Sequence, residues 1–96
     1  MTAIYIKQDV VTATPAKLGS TDAKRLMKVV LYCAANGTAV FKNAATDTGD
    51  TYLTLAGLAN TTVEIDFTDV GGIYFSTAIF CTVTGTGNIA HCWFSK

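Results

Sequence analysis

Residues 61–68, TTVEIDFT, alternate apolar and polar side chains more regularly than any other stretch of this chain. Successive side chains of a β-strand point to opposite faces. The alternation therefore places Val63, Ile65 and Phe67 toward a core and Glu64 and Asp66 toward water. A strand with one apolar face needs a second layer to cover it. This segment predicts one strand of a layered, antiparallel β-protein.

Residues 21–34, TDAKRLMKVVLYCA, fit either a helix or a strand. Apolar residues recur at helical spacing and permit an amphipathic helix: Ala23, Leu26, Met27, Val30 and Leu31. The β-rich run VVLY, followed by the hairpin signal Asn36-Gly37, favours a strand from about residue 25 to 34. That strand has one predicted buried face: Met27, Val29, Leu31 and Cys33. Residues 38–43, TAVFKN, are then predicted to pair back as the second arm of the hairpin.

Turn signals divide the rest of the chain. A first strand is predicted over residues 3–8, and Pro15 predicts a loop or an edge strand after it. Two adjacent glycines at 71–72 allow a reversal with positive φ. Residues 73–84 are long for one strand of a small domain, so we expect a bend near Ser76-Thr77. The turn at Gly85 to Gly87 predicts a C-terminal hairpin with the last strand.

These elements predict the architecture of the whole chain. Seven or eight short strands without a convincing helix are typical of an antiparallel β-sandwich or a jelly-roll-like fold. Ninety-six residues suit a single domain, so residues 1–96 are expected to form one sandwich. Two sheets can then share one core.

The composition limits the partners of such a domain. Half of the residues are hydrophobic, 15% are charged and the formal net charge is zero. A basic stripe for nucleic acid is absent from the sequence, and no apolar run is long enough to span a bilayer. The start MTAIYIKQDV lacks the pattern of a signal peptide, so synthesis in a cytoplasm is expected. The surplus of apolar residues favours a protein partner or self-association.

The reactive side chains predict no catalytic centre. His91 and Cys92 are neighbours on one strand, so their side chains diverge and make a poor catalytic pair. Cys33, Cys81, Cys92 and His91 could supply four zinc ligands, but they lack the usual C-x2-C spacing. An odd number of cysteines favours buried thiols, while a Cys81–Cys92 disulfide stays open. We expect neither an enzyme nor a cofactor.

Other polar and aromatic groups leave two binding alternatives. Asp47 and Asp50 lie in a loop that could offer oxygens to calcium, although they fall short of the usual ligand number. Glu64 and Asp66 share one strand face, which is more simply a solvated face than an acid pair. Five aromatic residues could stack on sugars or form a core or an interface: Tyr5, Tyr32, Tyr52, Tyr74 and Trp93.

Three segments resemble small structural proteins of tailed bacteriophages: RLMKVVLYCAANGTAVFKNA, TTVEIDF and GGIYFSTAIFCTVTGTGNIAHCWF. The matching positions span about residues 25–94, and they are Arg25, Gly37, Lys42, Asn43, Gly71, Gly72, Phe75, Ala78, Gly85, Thr86 and Gly87. Ala78 departs from that pattern, which usually has glycine there. The matched residues are turn glycines and apolar core positions rather than catalytic groups.

The resemblance implies a virion component present in many copies. The expected role is a capsid decoration (cement) protein that bridges neighbouring subunits of the major capsid protein, and a trimer is the favoured homo-oligomer. The alternative is a small tail- or fibre-associated module that binds a host-surface glycan or another tail protein. Neither role involves nucleic acid or a membrane. The loops and the N-terminal segment supply the expected contact residues: Ile4, Tyr5, Asn36, Gly37, Asp47 and Asp50.

Overall fold

A computed structural model describes residues 7–19 and 24–95 of the chain. These residues form nine strands and one short 3-10 turn, Thr68–Val70. The strands are β1 (Lys7–Val11), β2 (Ala16–Lys17), β3 (Arg25–Cys33), β4 (Gly37–Asn43), β5 (Asp50–Gly57), β6 (Thr61–Asp66), β7 (Ile73–Tyr74), β8 (Ile79–Val83) and β9 (Ile89–Ser95).

The strands form two antiparallel sheets that pack into a sandwich, which confirms the predicted fold class. Sheet A has the order β1-β9-β3-β6, with β7 also paired to β3. Sheet B has the order β2-β8-β4-β5. Two strands of only two residues, β2 and β7, bring the count above the seven or eight expected. The strand predicted over residues 3–8 is described only from Lys7 onward.

The core lies between the sheets and takes alternate residues from both. Sheet A contributes Val29 and Leu31 from β3, and sheet B contributes Phe41 from β4 and Ile79 and Cys81 from β8. Each of these side chains is fully buried or nearly so. Period-two alternation along the strands therefore creates one shared apolar layer.

The segment with two possible structures forms the strand β3, not a helix. Its buried face differs from the prediction at one position. Leu26 pairs with Phe94 and Lys28 pairs with Trp93, so Met27 is an extra residue in a bulge. Met27 is buried, but the bulge shifts the alternation and Leu26 joins the core cluster in its place.

Both predicted hairpins are wrong. β3 and β4 lie in different sheets, and so do β8 and β9. β3 has no free side for β4, because β9 pairs along one side and β6 and β7 along the other. The turns instead carry the chain from one sheet to the other, so the apolar faces of consecutive strands meet across the core. Among the described strands, only β4 and β5 form a hairpin between consecutive strands.

Residues 73–84 bend where the sequence predicts, and the bend also changes sheets. β7 pairs with β3 in sheet A, whereas β8 pairs with β2 and β4 in sheet B. Between them, the N–H of Thr77 donates to Asn43 Oδ1 at 2.8 Å, and Phe75 is fully buried. Just before β7, Gly71 and Gly72 have φ of 79° and 88°, which confirms the predicted reversal.

Candidate binding surface

The outer face of sheet A is built by the strand positions between its core residues. The registers of β1, β9, β3 and β6 set these outward residues in three rows. The rows are Gln8, Trp93, Lys28 and Asp66; Val10, His91, Val30 and Glu64; and Ile89, Tyr32 and Thr62. We call these eleven residues the aromatic face.

Three rings occupy the middle of the aromatic face. The Tyr32 and His91 ring centroids lie 5.2 Å apart in an edge-on arrangement, and the His91 and Trp93 rings stack 6.3 Å apart. The amide nitrogen Nε2 of Gln8 lies 2.7 Å from His91 Nδ1, and this hydrogen bond orients the imidazole ring. The rings therefore form a fixed row across β3 and β9.

The charges on this face are paired locally. Lys28 Nζ lies 3.1 Å from Glu64 Oε1 and 5.3 Å from the centre of the Trp93 ring. The cation thus contacts both a carboxylate and an aromatic ring. At the end of the same sheet, the Arg25 guanidinium lies 5.3 Å from the Tyr74 ring centre. Lys28 and Glu64 thus neutralise each other, and Asp66, the other carboxylate of the face, accepts its hydrogen bonds from Thr68.

The aromatic face leaves large apolar side chains in water. Val10 is 53% exposed and Tyr32 is 48% exposed, and Tyr74 beyond the rows is 53% exposed. Single exposed apolar residues are ordinary on protein surfaces, but a cluster beside stacked rings is a feature of binding surfaces. Tyr and Trp also combine a large contact area with a polar group.

The outer face of sheet B has a different chemistry. Its outward positions on β8, β4 and β5, together with the residue directly after β8, are mostly threonines: Thr38, Thr51, Thr54, Thr82 and Thr84, with Val40, Ala56, Lys42 and Phe80 among them. Thr84 is the residue after β8, and its N–H donates to the carbonyl of Thr38. Thr38 and Thr84 hydroxyls are 2.9 Å apart and bond to each other. We call this surface the threonine face.

Asn36 and Gly37, two of the predicted contact residues, lie in the β3–β4 crossover and have structural roles there. Asn36 Oδ1 accepts a hydrogen bond from the N–H of Ala59 at 2.8 Å. A Cβ added at Gly37 would lie 2.1 Å from the carbonyl oxygen of Thr84. Glycine at 37 thus lets the two crossovers between the sheets approach each other.

Asp47 and Asp50 lie at the other end of β4, so the structure does not bring them together with Asn36 and Gly37. Asp47 pairs with Lys42 at 2.8 Å, and Asp50 starts β5 opposite Asn43. The two groups lie at opposite ends of β4, which runs from Gly37 to Asn43. Ile4 and Tyr5 lie outside the described residues.

Asn88 joins the two crossovers and is a residue that the sequence analysis missed. Its Oδ1 accepts from the Ala35 N–H at 3.0 Å, and its Nδ2 donates to the carbonyls of Ala35 and Thr84, both at 2.9 Å. The side chain is 2% exposed. The signal in the sequence was a polar residue directly after the glycine turn at 85–87, because glycines let the backbone pack closely against such a side chain.

The cysteines and the histidine do not assemble a reactive centre. Cys81 and Cys92 face the core from opposite sheets, and His91 faces outward on the aromatic face. All three cysteines are free and buried. A hydrogen bond with the Cys81 thiol, together with burial, raises the pKa of the Cys92 thiol far above its usual range. Within residues 7–19 and 24–95, no three His, Cys, Asp or Glu side chains are grouped to hold a metal ion.

Glu64 and Asp66 have separate environments on β6. Glu64 pairs with Lys28, whereas Asp66 accepts hydrogen bonds from the Thr68 hydroxyl and N–H at 2.6 and 2.8 Å. These bonds hold the pKa of Asp66 below its usual value. Asp66 thus orders the turn after β6, which fits the solvated interpretation better than an acid pair.

Comparisons with known proteins identify no relative. The chain matches no protein-family model, no curated protein and no solved structure. In the described residues, no helix has the length and apolar character needed to cross a membrane. Any function assigned to this chain therefore has to be argued from its own residues, and the surface with the most distinctive chemistry is the aromatic face.

Proposed function

We propose that this chain is a structural protein of a bacteriophage virion, a decoration (cement) protein that binds the assembled capsid in many copies. We base the proposal on the resemblance noted in the sequence of residues 25–94, together with the β-sandwich fold and the low share of charged residues. The aromatic face carries most of the argument, because it is the part of the described surface best suited to bind another protein.

Rings and aliphatic side chains with paired charges suit a protein partner. The central part of a protein interface is depleted in charge and enriched in Tyr, Trp, Met and Arg. Tyr32 and Trp93 supply such side chains, and Lys28 and Glu64 already neutralise each other. A partner that covers the middle of this face desolvates two charges that are already in contact, while Asp66 lies on the edge strand β6 with its hydrogen bonds to Thr68.

The mechanism is bridging rather than chemistry. Each copy places its aromatic face on the seam between neighbouring subunits of the major capsid protein. Many modest contacts on one particle then add up, because dissociation of one copy leaves the others bound. The trimer expected from the sequence stays a prediction for copies bound on the capsid, at a local three-fold position.

Fractionation of the virion tests the proposal. Particles of the phage that encodes the chain are separated into heads and tails, and each fraction is analysed by mass spectrometry. We expect the chain in the heads, in many copies per particle. Its absence from the virion, or its presence in tails alone, would contradict the decoration role.

A glycan-binding tail module is the second candidate, and the same row of rings favours it. Sugar rings stack on aromatic side chains, and polar groups lie beside two of them, since Gln8 is opposite Trp93 and Thr62 is opposite Tyr32. A glycan array probed with the purified chain distinguishes the two roles. Saturable binding that Trp93→Ala abolishes, with recovery from tails, supports the glycan module over the decoration protein.

A further inference from the structure

Strand β5 is an edge of sheet B, and its outward backbone groups can be identified. The N–H of Thr84 donates to the carbonyl of Thr38 at 2.8 Å, so the backbone of Thr38 faces β8. Backbone groups point alternately to the two sides along a strand. Those of Ala39 and Phe41 therefore face β5.

The pairing of β4 with β5 then determines to which side of β5 the backbone N–H and C=O groups of each residue point. Ala39 lies opposite Leu55 and Phe41 opposite Leu53, so the backbones of these two leucines face β4. The N–H and C=O groups of Thr54 and Ala56 point away from the sheet. Within the described part of the chain, β5 is bonded to β4 alone.

The other four edge strands are short or carry features that discourage pairing with a further strand, and β7 has only two residues. β2 has only two residues, follows Pro15 and includes Lys17. β1 includes Asp9, whose carboxylate points inward and accepts from the N–H of Gly19 at 2.7 Å. Short edges, prolines, lysines and inward charges are the usual protections of an exposed edge.

β6 also carries such a protection, namely charged side chains, whereas β5 does not. β6 carries Glu64 and Asp66 on its outer face. In β5, residues 51–57, TYLTLAG, contain neither a charged residue nor proline. Its one irregularity is a register shift near Tyr52, which leaves Leu53 to Gly57 in regular pairing with β4. β5 is thus the one described edge that is both long and unprotected along most of its length.

We propose that β5 pairs antiparallel with β5 of a second copy of this chain, across a two-fold axis at Leu55. This pairing joins the two B sheets into one continuous sheet. Thr54 of each copy lies opposite Ala56 of the other, and these outward N–H and C=O groups bond to each other. The inference concerns the chain alone and holds whatever particle it binds.

The residues of β5 favour a second copy over another occupant. In a two-fold contact each residue meets a residue of the same strand, so an edge with acidic side chains along it would repel itself. The only charge of β5, Asp50, lies at its start, outside the regularly paired residues Leu53 to Gly57. Tyr52, 46% exposed, and Leu58, 68% exposed, flank that stretch at its two ends, so the antiparallel contact brings Tyr52 of one copy near Leu58 of the other.

The mass of the purified chain in solution tests the pairing. Size-exclusion chromatography with light scattering should give twice the 10.1 kDa of one chain. Thr54→Lys should return the mass to that of a monomer, because lysine on an edge strand opposes pairing. Thr62→Lys, the matched change on the outer face of β6, should leave the dimer intact. Circular dichroism shows that both variants are folded.

Amide hydrogen exchange gives a second readout on the same samples. The N–H groups of Thr54 and Ala56 should be protected in the dimer and should exchange rapidly in Thr54→Lys. A wild-type chain that is monomeric at every accessible concentration overturns the pairing. A trimer or larger oligomer that Thr54→Lys leaves unchanged overturns it as well.

Discussion

The two outer faces of this sandwich lie over one core but have different chemistry. The aromatic face of sheet A has Tyr32, His91 and Trp93 in contact, with Lys28 and Glu64 paired beside them. The threonine face of sheet B is covered mainly with short side chains that combine a hydroxyl and a methyl group. Both faces occupy equivalent outward positions of antiparallel strands.

Under the proposed function, the difference indicates which face would contact the partner. Core packing constrains the inward residues of both sheets equally, whereas outward residues need only tolerate water and favour a strand. Threonine meets that requirement at little cost, since its β-branch suits a pleated surface. Stacked rings are not needed to meet that requirement, and they leave apolar surface in contact with water. The aromatic face is therefore the surface expected to be covered in the working assembly.

The largest expected effect comes from the core that both faces share. Phe41→Ala removes a fully buried side chain and should lower the free energy of unfolding by about 3–5 kcal/mol. Val40→Ala, at the next position on the threonine face, should cost about 1 kcal/mol or less. Urea unfolding followed by Trp93 fluorescence measures both. Equal losses would contradict the division into inward and outward residues.

Asn88→Ala should give the next largest effect, because it acts where the chain crosses between the two sheets. The change removes three hydrogen bonds and leaves the partly buried backbone groups of Ala35 without partners, which should cost about 1–3 kcal/mol. Asn36→Ala is the control, since its exposed amide makes one such bond. Urea denaturation is again the measurement. A larger loss for Asn36→Ala would refute the role given to Asn88.

The contact between the Cys81 and Cys92 thiols predicts a dependence on alkaline pH. The folded pKa of Cys92 is raised, so its contribution to stability is complete below the unfolded value of about 8.5 and is lost as the pH rises above it. The wild type should lose about 1.4 kcal/mol per pH unit more than Cys92→Ala in that range. The prediction would be contradicted if the unfolding free energies of the wild type and of Cys92→Ala changed with pH in parallel. The Cys92 thiol would then ionise equally easily in the folded and the unfolded state.

Removing the ion pair of the aromatic face should have the smallest effect. Glu64→Gln breaks the contact with Lys28 and should change stability by about 1 kcal/mol or less, because both groups are partly exposed. The loss of stability in Glu64→Gln should disappear in high salt, since salt screens exposed charges. A thermal melt at low and high ionic strength measures it. A loss of several kcal/mol would mean that this pair is not an ordinary surface pair.

Alternation predicts the strands of this protein but not their partners. TTVEIDFT and the strand β3 were found because inward and outward residues alternate within each segment. The turns at Asn36-Gly37 and Gly85-Thr86-Gly87 look the same locally whether the chain returns beside itself or crosses to the other sheet. The choice depends on β9 and β6, which occupy both sides of β3 and lie far away in sequence.

The aromatic face could likewise be predicted from the sequence only in part. Tyr32 and Trp93 could be identified from the sequence as aromatic residues able to bind a ligand, but their meeting through His91 depends on the register of β3 with β9. The bulge at Met27 is a further consequence of that register. Long-range pairing cannot be read from the local pattern of either strand.

Rebinding of purified protein to capsids that lack it tests most directly whether the aromatic face is the binding surface. In sedimentation assays, Tyr32→Ser should weaken capsid binding by tenfold or more, a loss of about 1.4 kcal/mol or greater, and remain folded. Val40→Ser on the threonine face should bind like the wild type. Wild-type binding by Tyr32→Ser, or loss of binding in Val40→Ser alone, would contradict the account.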